Sequence, residues 1–293
     1  MDLLVPVDDH VKLNVRHRPG GSGRPYVLAH GLGSNARMWD EVADRLAAAG
    51  HPAYAIDMRG HGDSDSPEHG YDNETAVADL VAVCRALGLS ELLLAGHSWG
   101  GNVAVRLSVE HPGLTAGLAL VDGGWVDLTD TVDMSATWED CVEGVTRRRP
   151  DTTGTTAAGM RDFLRALHPS WSDTAIEANL ADTVEGPDGL LRPRLPTSEY
   201  LSVVRSMWED PPARWFPEIT VPVLLLNALP TNNPWWGQWV RNWTAKAEAA
   251  MPHADSRWYL DTDHSLHAEQ PDRLADDLLD LARIVGPLPY ERS

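Results

Sequence analysis

The chain has 293 residues, 43% of them apolar, and 24 basic against 43 acidic side chains give a formal net charge of −19. That apolar share argues against a disordered chain and for a sizeable core. So acidic a surface argues against nucleic acid or an anionic membrane as partner, because both repel it.

The two cysteines, Cys84 and Cys141, have no CxxC spacing and read as buried thiols of a reducing compartment. The N-terminus, MDLLVPVDDH, lacks the basic-then-apolar pattern of a secretion signal. No run reaches the roughly 18 apolar residues that a membrane helix needs. A cytoplasmic protein is the expectation.

In chain order, short apolar runs alternate with longer helical patterns, the rhythm of a mostly parallel sheet with helices on both faces. Residues 10–16 read as a hairpin-like stretch, and the turn PGGSGRP leads to a buried strand, YVLA, at 26–29. A helix over 38–49, a strand over 53–57 and a Gly/Asp-rich loop follow. Asp72 or Asn73 caps a helix that runs to Leu87. Next come a strand at 91–95, a helix at 99–110 and a strand at 117–121.

From 125 to 215 the rhythm breaks into helical pieces, Pro-rich turns (EGPDGLLRPRLP) and a basic run, Arg147 to Arg149, that reads as a solvated surface. This stretch is expected to be a mainly helical lid inserted into a core made of residues 1–124 and 216–293. Afterwards the alternation resumes with a strand at 221–226, a helix at 235–250, a strand at 256–260 and a last helix from Pro271 to 284. Pro271 suits a first helical turn.

The chemistry concentrates in Gly96-His97-Ser98-Trp99-Gly100, a G-x-S-x-G pattern between the strand ELLLA and a helix. In that setting the serine occupies a sharp strand-to-helix turn, and the flanking glycines remove side chains that would clash with it. The helix start behind it offers free N–H groups to a developing oxyanion.

Four blocks in this order, HGLG (30–33), DMRGHGDSD (57–65), GHSWGG (96–101) and DHSLHAEQP (263–271), resemble the α/β-hydrolase superfamily and its lid-bearing esterase and lactonase-like branch. The resemblance covers nearly the whole chain outside the lid. It implies the α/β-hydrolase fold, with Ser98 as nucleophile and the backbone N–H groups of Leu32 and Trp99 as oxyanion hole. His30 is then a loop organiser, Asp57 and Arg59 are scaffold, and His97 packs beneath the turn.

A serine hydroxyl needs a base. The resemblance places it at His264, with His267 three residues on as the rival. A His264/His267 metal pair lacks a third ligand, so neither metal nor cofactor is expected.

The acid departs from the family's commonest pattern. The stretch 227–234 (NALPTNNP) after the strand that closes the lid insertion contains no carboxylate. Asp122, at the end of the strand GLALV, is the candidate in its place. Asn232 or Asn233 could instead orient the imidazole neutrally.

The serine disfavours the aspartate-nucleophile chemistry of related epoxide hydrolases and dehalogenases. What remains is acyl transfer to water, with an ester or lactone asking least of the site and amide, thioester or carbon–carbon cleavage as alternatives. Twelve Trp against two Phe, concentrated between Trp171 and Trp243, suggest an aromatic chamber.

Trp125, Trp208, Trp215 and Trp235 are the candidate substrate contacts, against ordinary lid packing. The expected partners are a hydrophobic small molecule and, at most, a second copy of the chain. A small-molecule receptor on the same fold, without turnover, is the reading from another class.

Overall fold

The computed structural model describes residues 1–130, 137–148, 154–230 and 234–288. The chain opens with β1 (Asp2–Pro6) and β2 (Lys12–Arg18), an antiparallel pair. Asp8 closes their turn by accepting the His10 and Val11 N–H groups at 2.7 and 2.8 Å. β3 (Tyr26–Ala29) leads through a 3-10 turn to α1 (Asp40–Ala48), β4 (Ala53–Ile56) and α2 (Asn73–Ala86). β5 (Leu92–His97), α3 (Trp99–Glu110) and β6 (Thr115–Val121) follow.

After the insertion come β9 (Val223–Leu229), α8 (Pro234–Ala250), β10 (Ala254–Leu260), α9 (Leu266–Glu269) and α10 (Pro271–Val285). Asp72 is the helix cap of α2, its carboxylate accepting the Thr75 N–H at 2.7 Å.

Eight strands form one sheet in the order β1-β2-β4-β3-β5-β6-β9-β10, parallel from β4 to β10. The inner strands are apolar throughout because helices cover both faces. On one face α1 and α10 bring Leu46, Leu274 and Leu278 against Leu28, Leu93 and Leu226. On the other, α2, α3 and α8 bring Leu80, Val103 and Trp243 against Val27, Leu94 and Leu225. The parallel strands point their carboxyl ends to one edge, where α/β sites gather.

The insertion between β6 and β9 carries α4 (Trp138–Arg148), α5 (Ala157–Leu167), α6 (Asp173–Leu180) and α7 (Thr197–Glu209). It also holds a two-stranded antiparallel pair, β7 (Thr183–Glu185) and β8 (Leu191–Pro193), which the Pro/Gly-rich sequence reads only as turns.

Polar pins fasten the insertion to the core. Asn35 donates to Ala178 O at 2.7 Å and to the Asp182 carboxylate. Ser206 Oγ accepts the Asn73 N–H at 2.8 Å, and Ser172 Oγ donates to Glu41 at 2.7 Å. Cys84 and Cys141 are buried free thiols. Among the described residues no helix is long and apolar enough to cross a membrane.

Candidate active site

Ser98 stands between β5 and α3 with φ of 51° and ψ of −120°, a strained conformation for a side-chain-bearing residue. Packing enforces the bend. A Cβ on Gly96 would lie 2.2 Å from the Gly100 carbonyl oxygen, and one on Gly123 would lie 2.3 Å from Ser98 Cα. The Ser98 N–H donates to Val121 O at 3.0 Å, so Ser98 and Asp122 end adjacent strands side by side.

Asp122 also has positive φ, 43°, and its N–H donates to Leu226 O at 2.8 Å. One carboxylate oxygen accepts the Ala228 N–H at 2.9 Å, and the other takes His264 Nδ1 at 2.6 Å. The carboxylate-free end of β9 therefore supplies a backbone donor that fixes the acid of the neighbouring strand. Asn227, inside β9, is fully buried and bonded to Thr244, Leu225 O and Arg257 O. Asn232 and Asn233 lie outside the described residues.

The Asp122 side chain is 7% exposed and that of His264 is 54% exposed, so a buried carboxylate anchors one edge of a ring that is open elsewhere. Crowding lowers the His264 pKa, but the Asp122 hydrogen bond and charge, helped by Asp263, outweigh it and leave a net rise above 6.5. Among the described residues Ser98 Oγ and His264 Nε2 make no hydrogen bond.

Four other histidines, His30, His61, His97 and His267, are buried around this site, and burial lowers the pKa of each. His30 Nε2 accepts the Met58 N–H at 2.9 Å, so its Nδ1–H donates to Gly31 O at 2.7 Å. His61 Nε2 accepts the Gly33 N–H at 3.0 Å, and its Nδ1–H donates to Arg59 O at 2.8 Å. Together they hold the 30–33 loop from both sides. Burial pushes His30 down to about 4 and His61 down to about 3.

Asp57 accepts the Ala36 and Asp63 N–H groups and Asn14 Nδ2, and Arg59 forks onto Asp79 at 2.9 and 2.8 Å, both scaffold arrangements. A Cβ on Gly31 would lie 3.0 Å from Ser98 Cβ, so the 30–33 loop packs directly against the serine. The Trp99 indole is tied to Asn73 at 2.9 Å.

His267 is buried between Trp39, 5.1 Å away, and His97, 4.4 Å away, and burial pushes it down to about 3. Against His264 it makes a poor base. His97 donates from Nε2 to the His264 carbonyl at 2.8 Å, a contact that sequence reasoning missed. The signal was available: a histidine ending a buried strand must find a partner for its N–H.

The tryptophans separate. Trp125 is buried just beyond Asp122 in the apolar cluster that also touches Leu32 and Tyr200. Trp208 packs on Trp138 at 6.4 Å within the insertion, and Trp215 bonds Asp210 and carries Arg106 of α3 and Arg214 over its ring, so both are engaged in packing. Trp235 is 82% exposed on α8, whereas Trp239 and Trp243 pack into the apolar cluster.

A groove of about 800 Å³ between α7 and the start of α2 is lined by Tyr71, Arg106, Trp138 and Arg205, and by none of Ser98, Asp122 or His264. Among the described residues one donor group could gather a cation: His168, Asp263 and Glu269, whose ligand atoms lie within 4.8 Å of one another. Exposed acidic groups of this kind are ordinary.

A sequence profile described as the alpha/beta hydrolase family matches residues 26–277. The 2-(acetamidomethylene)succinate hydrolase of Mesorhizobium japonicum is 28% identical over 217 residues, 74% of this chain and 73% of that one. The N-formylmaleamate deformylase of Pseudomonas putida is 41% identical over 109 residues, 36% and 39% of the two chains. The alpha/beta hydrolase superfamily protein YisY of Bacillus subtilis is 37% identical over 113 residues, 39% and 41%. The match thus spans about two-fifths of the last two.

In three dimensions the chain is similar to E-2-(acetamidomethylene)succinate hydrolase, with a TM-score of 0.76, 20% identity and 97% and 99% of the chains covered. It is also similar to an esterase from Exiguobacterium antarcticum, with a TM-score of 0.71, 19% identity and 97% and 100% covered.

Proposed function

The chain belongs to the alpha/beta hydrolase family, and from that premise we propose that it is a serine hydrolase cleaving an ester or lactone of a hydrophobic small molecule through an acyl-enzyme on Ser98. The observation that carries this reading is the Asp122–His264 hydrogen bond, 2.6 Å, beside a serine held at positive φ.

His264 Nε2 takes the Ser98 proton as Oγ attacks the carbonyl carbon. The Leu32 and Trp99 amides receive the oxyanion, a contribution of about 3–4 kcal/mol for each well-placed donor. The imidazolium, stabilised by Asp122, returns the proton to the leaving alcohol. Water then repeats the sequence, with its proton passing through His264 and the acid leaving Ser98. The apolar surround of Trp125, Leu32 and Tyr200 favours a hydrophobic acyl or alkyl group.

The test is labelling by an activated phosphonate together with turnover of p-nitrophenyl esters and lactones of graded size. Labelling and turnover in the native protein, both abolished in Ser98→Ala, is the expected result. Folded native protein with neither would overturn the reading and favour a receptor. A second reading, cleavage of a C–N bond on the same residues, draws on the deformylase among the relatives. Amide and formamide substrates in the same panel distinguish it.

A further inference from the structure

From its bond to the His264 carbonyl we infer that His97 is a positioning residue for the base, acting on the main chain of the loop that carries His264. The inference rests on His264 being that base.

His97 ends β5 and is rigidly placed by its strand, in register with Val121. Its Nε2 lies 2.8 Å from the His264 carbonyl oxygen. A carbonyl only accepts, so His97 is the Nε2–H tautomer and its Nδ1 is a bare, buried acceptor without a partner. The ring lies between those of His264, 4.6 Å away, and His267, 4.4 Å away, with His267 backed by Trp39.

The loop needs such a support. Asp261, with φ of 54°, begins it, and its bonds, Asp261 N–H to Leu229 O, Asp263 N–H to Glu269 and the short α9, hold the residues on either side of His264 and leave the His264 carbonyl to His97. The His264 side chain is bonded at Nδ1 to Asp122, and its main chain is bonded through the carbonyl to His97. Two anchors on adjacent strands, β6 and β5, define where Nε2 stands relative to Ser98. With the carbonyl released, the imidazole can turn about the Asp122 bond, and displacement of about 1 Å is enough to cost on the order of 10²-fold in rate.

Substitutions that move the donor separate this role from simple packing. Gln places an amide nitrogen near the imidazole Nε2 position, Asn places one near Nδ1, and Phe fills the space with no donor. The expected result is a kcat lower by about 10²-fold in His97→Phe and His97→Asn, with KM little changed. In His97→Gln at least a tenth of the native kcat returns.

The acid limb of kcat/KM supplies a second readout. The groups facing His264 are Asp122, Asp263, His97 and His267. A loosened Asp122 bond lets the raised His264 pKa relax, so the limb moves to lower pH in the Phe variant and stays in place in the Gln variant.

Equal loss in Gln and Phe, or no loss in either, would overturn the inference while native labelling at Ser98 leaves the hydrolase reading standing. Where a variant does not fold, nitrogen-15 spectra of histidine-labelled native protein decide. A non-titrating His97 bearing its proton on Nε2 supports the inference, and an Nδ1–H tautomer refutes it.

Discussion

At the scale of single residues, Asp122 is the most informative position. Asp122→Asn removes the charge and presents an amide that can donate where His264 Nδ1–H needs an acceptor, which favours the wrong tautomer. A fall in kcat of roughly 10⁴-fold is expected, with the fold intact by circular dichroism. His264 accepts the Ser98 proton only when neutral, so native activity rises with pH through an apparent pKa above 6.5, read from a kcat/KM profile.

Ser98, His264 and Asp122 could be singled out as candidates because G-x-S-x-G, the DHS block and the acid-free 227–234 loop narrow the choice, with His267 and Asn232 or Asn233 as rivals. The backbone partners, Ala228 N–H for Asp122 and the His264 carbonyl for His97, could not: a buried histidine signals that its N–H needs a partner, and a residue string does not say which main-chain group it meets. The exposure of Trp235 was not legible for a related reason: composition counts rings, and helix phase decides which way each faces.

At the scale of elements, the β5 and β6 ends form one unit, and Gly123 is where they touch. A methyl there would meet Ser98 Cα at 2.3 Å, backbone against backbone, with no flexible atom to yield. Gly123→Ala should therefore cost about 1–3 kcal/mol in urea denaturation and lower kcat, because the strand ends must part.

The buried strands were readable from continuous apolar runs, and α2, α3 and α10 from caps and period. β1 escaped because Asp2–Pro6 is short and only hairpin pairing makes it a strand. β9 runs on to Leu229, past the expected end at 226, because Thr244 and two carbonyls satisfy the polar Asn227 inside it. The lid pieces were indistinct because their stability comes from pins such as Asn35 to Ala178, residues far apart in the chain.

At the scale of the whole molecule, buried neutral histidines set the acid limit of stability. His30, His61 and His267 sit at about 4, 3 and 3 when folded, against 6.5 when exposed. The unfolded chain therefore binds more protons over that window. Stability is full above 6.5 and falls as pH drops toward 4, by up to about 1.4 kcal/mol per pH unit for each histidine. His264 has the opposite sign, its contribution present below 6.5 and lost as pH rises through its folded value, and its exposure keeps that contribution small. Melting temperatures that decline steeply between pH 6.5 and 5 would bear out the balance, and a flat profile would refute it.

The backbone hydrogen bond from Ser98 N–H to the Val121 carbonyl has a mechanical corollary. Hydroxyl and carboxylate stand at the ends of two paired inner strands, whereas His264 rides on a connecting loop outside the sheet. Mild urea should detach that loop first, so hydrolysis fades at concentrations where ellipticity is still native, and dilution restores it within the dead time of mixing.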